Sequence, residues 1–234
     1  MSFTSIFEAA KEGTVEDVKS FIEKKGVNVN EKDDDAGWTP LHHAAKNNTN
    51  VEVLKYLVSQ GADVNAKSDS GRIPLHAAAQ GNTNVEVLKY LVSKGADINA
   101  GNNDGDTPLH DAARYNSSIE VLKYLISKGA DVNVENNNSN TPLHQAVYTE
   151  NVGAVKFLIA AKADVNARNS DGHAPLHFTF ENKSVDIAKI LVSAGADVNA
   201  KDNDGLTPLH SAVAVKNTAL FGFLVSAGAN TNVI

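Results

Sequence analysis

Thr39-Pro40-Leu41-His42, Ile73-Pro74-Leu75-His76, Thr107-Pro108-Leu109-His110, Thr141-Pro142-Leu143-His144, Ala174-Pro175-Leu176-His177 and Thr207-Pro208-Leu209-His210 are six copies of one motif, and they hold all six prolines of this 234-residue chain. Successive copies start 34, 34, 34, 33 and 33 residues apart. A fixed period of this length predicts a linear array of small units, each touching its neighbours, in place of one large core. Residues that recur at the period are expected to build the structure. Residues that break it are the candidates for function.

The stretch from Ile73 to Asp106 shows how one unit is made. Pro74 suits the first turn of a helix, where its missing N–H is not needed and its φ is already helical. A Thr before that Pro can cap free backbone N–H groups with its hydroxyl. Leu75, Ala78 and Ala79 form a narrow apolar face, and Gly81-Asn82 ends the helix. Val85 to Val92 is a second helix, with Glu86 and Lys89 as an i,i+3 pair on its polar side. Gly95 is the expected left-handed cap, and the turn at Asn103-Asp104-Gly105 leads into the next Pro. Two antiparallel helices and a projecting turn result. Neither helix is long enough to persist alone, so stacking must supply the core.

This pattern resembles the ankyrin repeat, whose signature is Thr-Pro-Leu-His-x-Ala. The resemblance covers nearly the whole chain and implies an all-α repeat solenoid of antiparallel helix pairs with projecting β-hairpin loops. The expected organisation is one domain, residues 1–234, with repeats near 3–34, 35–68, 69–102, 103–136, 137–169, 170–202 and 203–234. The first repeat is degenerate: Ile6, Ala9, Ala10, Val18, Phe21 and Ile22 take core positions, Ser5 stands where Pro would be and Phe7 where His would be. Repeats two to four carry one extra residue between the helix cores, read as a longer inter-helix loop. Lys162 replaces the capping glycine seen at Gly61, Gly95, Gly129, Gly195 and Gly228.

Composition excludes several function classes. The net charge of −7 argues against nucleic acid, which needs clustered Lys and Arg. Acid crowds the N-terminal end, with nine Asp/Glu against five Lys from Met1 to Gly37. Without cysteine there is no disulfide framework, thiol nucleophile or thiolate metal site. No signal-peptide pattern opens the chain, and no stretch approaches the roughly 20 apolar residues that span a bilayer. A soluble, cytoplasmic protein is expected, and the Asn-X-Ser/Thr sequons at Asn47, Asn116, Asn137 and Asn182 are read as chance.

Eight histidines invite a metal or catalytic reading, yet six are the motif histidines, one per repeat. Neighbouring helices pack roughly 8–10 Å apart, too far for those rings to converge on one ion. A structural role, bonding nearby backbone or the Thr hydroxyl, is expected. Asp33-Asp34-Asp35 lacks the alternation of a calcium loop and reads as a solvated hairpin tip. Asp-Val-Asn, as at Asp63-Val64-Asn65, is expected to organise the loop backbone; the resemblance implies that such asparagines can be hydroxylated in animal cells. No glycine-rich phosphate loop occurs. The expectation is no catalytic residue, no metal and no cofactor, hence no enzyme.

The resemblance further implies a concave binding surface built from loop tips and the exposed face of the first helices. By position its residues are Trp38, Arg72, Asp106 and His173 from the loops, and His43, Lys46, Gln80, Asp111, Arg114, Tyr115, Gln145, Tyr148 and Phe178 from the first helices. Trp38, the one tryptophan, and an aromatic stripe of Tyr115, Tyr148 and Phe178 beside Arg114 match the residue types enriched in interface hot spots. At the C-terminal repeat, Ala219 and Gly222 stand where earlier repeats carry Glu and Lys. That end is expected to be covered by further repeats, by self-association or by a partner. The leading function is a scaffold or adaptor that binds an unidentified partner protein, with no nucleic acid and no membrane. The alternatives are the ankyrin segment of a larger protein whose catalytic or effector domain lies elsewhere, and a designed array. The irregular repeats five to seven favour a natural sequence.

Overall fold

The computed structural model describes residues 3–181 and 185–233. The sequon that begins at Asn182 and the terminal Ile234 lie outside them. The helices are α1 (Ile6–Glu12), α2 (Val15–Lys19, continued by a π-helical turn over Ser20–Lys24), α3 (Pro40–Asn47), α4 (Val51–Ser59), α5 (Pro74–Gly81), α6 (Val85–Ser93), α7 (Pro108–Tyr115), α8 (Ile119–Ser127), α9 (Pro142–Tyr148), α10 (Val152–Ala160), α11 (Asp186–Ser193), α12 (Pro208–Ala214) and α13 (Thr218–Ser226). They fall into two compact units, Met1–Ala112 with Asn116–Ala130, and Ala113–Tyr115 with Asp131–Ile234.

In each unit the helices pair as the period predicts. Leu41, Ala44 and Ala45 of α3 and Val53, Leu54 and Leu57 of α4 are completely buried in the first unit. Leu143, Ala146 and Val147 of α9 and Ala154, Val155 and Leu158 of α10 repeat the arrangement in the second. Each buried leucine contributes about 2–3 kcal/mol of apolar transfer free energy, which offsets the cost of ordering helices too short to stand alone.

The motif histidine joins one repeat to the next. In the first unit the Thr39 backbone N–H donates to His42 Nδ1 at 3.2 Å, and the Thr39 hydroxyl lies 2.9 Å from the same nitrogen. An amide can only donate, so Nδ1 is the acceptor and the ring proton sits on Nε2. That Nε2–H donates to the Arg72 carbonyl at 2.9 Å. His76 reaches the Asp106 carbonyl, and in the second unit His144 reaches that of His173 and His177 that of Leu206. The Thr hydroxyl thus meets the ring instead of the helix N–H groups. Where Ile73 or Ala174 replaces Thr, the backbone N–H to Nδ1 bond persists. Burial pushes the pKa of His42, His76 and His144 down to about 4, so these rings stay neutral near pH 7.

Two sets of asparagines also tie repeats together. Asn48 Nδ2 donates to the carbonyls of Ala10 and Gly13, Asn82 to Ala45 and Asn48, and Asn116 to Ala79 and Asn82, all at 2.8–3.0 Å. In the second unit Asn151 donates to the Ala113 carbonyl at 3.1 Å. The other set follows the second helices: Asn65 Oδ1 accepts from the Asp97 N–H while its Nδ2 donates to the Gly95 carbonyl. Asn166 bonds Asp197 and Gly195 in the same way. The Asp-Val-Asn motif therefore bridges repeats as well as organising its own turn.

Three local readings are revised. The extra residue of repeats two to four lengthens the first helix: α3, α5 and α7 have eight residues against seven in α9 and α12. The connecting loops keep their length because Asn48, Asn82 and Asn116 pass through extended backbone, whereas the shorter repeats turn through left-handed Glu150 and Lys216. Repeat six has a 3₁₀ helix, Pro175–Glu181, as its first helix. Thr179 and Phe180 replace the small alanine pair there, and the Thr179 hydroxyl bonds back to the Leu176 carbonyl at 2.8 Å. Asp33 belongs to no solvated tip: its Oδ1 accepts from the N–H groups of Ala36 and Trp38, closing the loop. Asn102, Asn136, Asn169 and Asp202 close later loops in the same manner, and no strand forms among the described residues.

Candidate partner-binding surface

Trp38, His43 and Lys46 come together in the first unit. The Trp38 ring lies 5.3 Å from His43 and 5.7 Å from His42, with the Lys46 ammonium 5.2 Å from its centroid. Phe7, from the degenerate first repeat, stands 5.5 Å from His43. His43 Nε2 lies 2.7 Å from Asp33 Oδ2, so the residue that closes the loop also orients this ring. Burial raises the Asp33 pKa, but the N–H groups of Ala36 and Trp38 and the nearby His43 outweigh it and hold the carboxyl below its ordinary value. Burial, assisted by the Arg72 charge, lowers the pKa of Lys46. Trp38 is half-buried in this cluster rather than projecting from the loop.

Arg72 and Asp111 face each other instead of solvent. Arg72 Nη2 donates to Asp111 Oδ1 at 2.7 Å, and the Asp111 side chain is 2 % exposed. Asp106 is buried as well, and Gln80 is half-buried with an Oε1 that accepts no hydrogen bond. Arg72 and Asp111 are therefore held by each other.

The second unit gathers the aromatic stripe. Arg114 Cζ lies 4.9 Å from the Tyr115 ring centroid and 5.8 Å from that of Tyr148. Phe178 is met edge-on by Tyr148 at 6.2 Å, His144 at 5.8 Å and His173 at 5.6 Å. Arg114, Asn140, His144, Gln145, Tyr148 and Phe178 line one cavity of about 210 Å³. Tyr115 and Tyr148 remain 46 % and 51 % exposed. His173 repeats the His43 device, its Nε2 lying 3.3 Å from loop-closing Asp202. Sequence reasoning missed Asp33 and Asp202 as partners of the two non-motif histidines. The available signal was that both occupy the first position of a loop whose later N–H groups need an acceptor.

Elsewhere, Leu206, Val213, Val215, Phe221 and Val225 of the last repeat are exposed, and Val213 and Phe221 line a second cavity of about 240 Å³. Among the described residues no group of His, Asp and Glu is arranged to hold a metal, and no helix is long and apolar enough to cross a membrane.

Helix pairs opened by a Pro at Pro40, Pro74, Pro108, Pro142, Pro175 and Pro208, with His42, His76, His144 and His177 bonded to the next loop's carbonyl, define a helical repeat class. The chain belongs to the ankyrin repeat family: the family profile "Ankyrin repeats (3 copies)" matches residues 6–102, 47–136, 100–169 and 143–234. Among curated relatives, alpha-latrocrustotoxin-Lt1a of Latrodectus tredecimguttatus is 45 % identical over 64 residues, 27 % of this chain and 4 % of the toxin. Protein phosphatase 1 regulatory subunit 27 of Homo sapiens is 39 % identical over 67 residues, 29 % of this chain and 42 % of the relative. Palmitoyltransferase akr1 of Schizosaccharomyces pombe is 42 % identical over 62 residues, 26 % of this chain and 9 % of the enzyme. In each case the match spans less than half of the relative.

Proposed function

We propose that this chain is a non-enzymatic, cytoplasmic protein-interaction module, a scaffold or adaptor, that holds a partner protein against its loops and first helices. The observation that carries the reading is the pair Tyr115 and Tyr148, large rings left about half exposed with the Arg114 guanidinium 4.9 and 5.8 Å from their centroids. Tyr and Arg at an open surface are the anchors that protein interfaces favour. The Trp38–His43–Lys46 cluster offers a second set of the same residue types. One relative is by name a regulatory subunit of a phosphatase, which supports a binding role.

Affinity capture from the producing cells, run with the wild type beside a Trp38→Ala/Tyr115→Ala/Tyr148→Ala variant, tests this reading. Proteins retained by the wild type and lost by a folded variant are the expected outcome. Equal retention by both would move binding to another surface.

A second reading, an ankyrin segment that positions an effector domain of a longer protein, is favoured by the match to 9 % of a palmitoyltransferase. Sequencing the native transcript on both sides of this reading frame separates the two.

A further inference from the structure

Arg114 differs from Arg72 and from the first lysines of the second helices α4, α6 and α8. Arg72 is paired with Asp111, and Lys55, Lys89 and Lys123 are paired with Glu52, Glu86 and Glu120 at 2.6–2.7 Å. Arg114 makes no ion pair and no hydrogen bond among the described residues, and its Nε is buried without a partner. Two rings lie within cation–π range of the guanidinium, Tyr115 at 4.9 Å and Tyr148 at 5.8 Å. The remaining lining of its cavity is neutral: Asn140, Gln145, Tyr148, Phe178 and His144. His144 is bonded through both ring nitrogens, and burial keeps it uncharged near neutral pH. The site therefore carries one permanent positive charge and no acid.

A partly dehydrated guanidinium without a counter-ion is an incomplete arrangement, since its N–H groups gain most from an anionic acceptor in a low-dielectric pocket. We propose that this cavity of the second unit receives a carboxylate from an acidic segment of the partner protein, with Arg114 as its counter-ion. The proposal rests on the partner-binding reading above and names the chemistry recognised there. A single cation suits a group of charge −1 better than a doubly charged phosphate, for which the cavity offers no second positive residue. The net charge of −7 opposes long polyanions. Tyr148 and Phe178 form an apolar wall for the side chain next to the acid. A short segment that pairs Asp or Glu with a hydrophobic residue matches these features.

The test uses the full chain and a phage-displayed library of random dodecapeptides as the probe. Selection on the wild type is expected to enrich peptides with an Asp or Glu beside an apolar residue. For synthetic versions, replacing that acid by its amide should weaken binding at least about tenfold to the wild type and hardly at all to Arg114→Gln, the coupling expected of a desolvated charge pair. Amidating the peptide terminus tells a side-chain carboxylate from a terminal one; loss of binding in either arm supports the pairing. Circular dichroism shows whether Arg114→Gln is folded, and Arg114→Lys, which keeps the charge but not the planar fork, should bind at an intermediate level. Peptides that need Tyr148 but tolerate the acid-to-amide change overturn the carboxylate proposal and leave the binding surface standing. A selection yielding no binder sensitive to Tyr148→Ala or Arg114→Gln overturns both.

Discussion

Lys162 is where a single side chain and its backbone disagree. It adopts φ +73° at the position where Gly61, Gly95, Gly129, Gly195 and Gly228 have φ between +91° and +97° or close to it at +90°. A Cβ added at those glycines would meet nothing within 4 Å, so the difference between Gly and Lys there is backbone strain and not a clash. Lys162→Gly should stabilise the protein by about 1 kcal/mol and raise the melting temperature in a thermal scan. An unchanged or lower value would show that the left-handed turn is not strained. This residue was legible from sequence, because Gly61, Gly95, Gly129, Gly195 and Gly228 state what the equivalent position should be. Asp33 was not, since a run of three acids looks alike until the loop N–H groups show which of them turns inward.

At the scale of elements, the helix pairs followed directly from Pro, the apolar spacing and the glycine caps. What joins them was less visible. An asparagine after a short helix reads as a stop signal, yet Asn82 is buried, donates twice to the preceding repeat and accepts from the Asn84 N–H at 2.9 Å. Asn82→Ala would leave two carbonyls and an N–H without partners, and about 2–4 kcal/mol of stability should be lost in urea titration. The exposed Glu86→Ala, which removes only a surface ion pair with Lys89, is the matched control and should change stability by under about 0.5 kcal/mol. The 3₁₀ helix at Pro175–Glu181 was likewise hidden: its motif is intact, and the tightening comes from the size of Thr179 and Phe180 in a slot built for alanine.

For the whole molecule, the buried histidines make stability depend on pH. Their folded pKa, about 4 for His42, His76 and His144, lies below the ordinary value of 6.5, so the unfolded chain binds more protons between those limits. Stability is therefore complete above pH 6.5 and falls as pH falls, by about 1 kcal/mol per ring for each pH unit. Melting temperatures should drop steadily from pH 7 to pH 5, a window above the titration of the paired carboxylates Asp33 and Asp202, whose pKa values are held low. A flat profile there would mean that the rings are not neutral staples. The period of 33 or 34 residues was enough to establish the repeat fold, the helix boundaries within a residue or so and the structural role of the motif histidines, because local spacing dictates which face of a short helix must be buried. Which polar residues remain available to a partner depended on contacts between residues about 30–40 positions apart, such as Arg72 with Asp111, which only the stacked backbone brings within 2.7 Å. The same stacking left Arg114 between two tyrosines without an acid, and that is a property of their packing, which no single repeat contains.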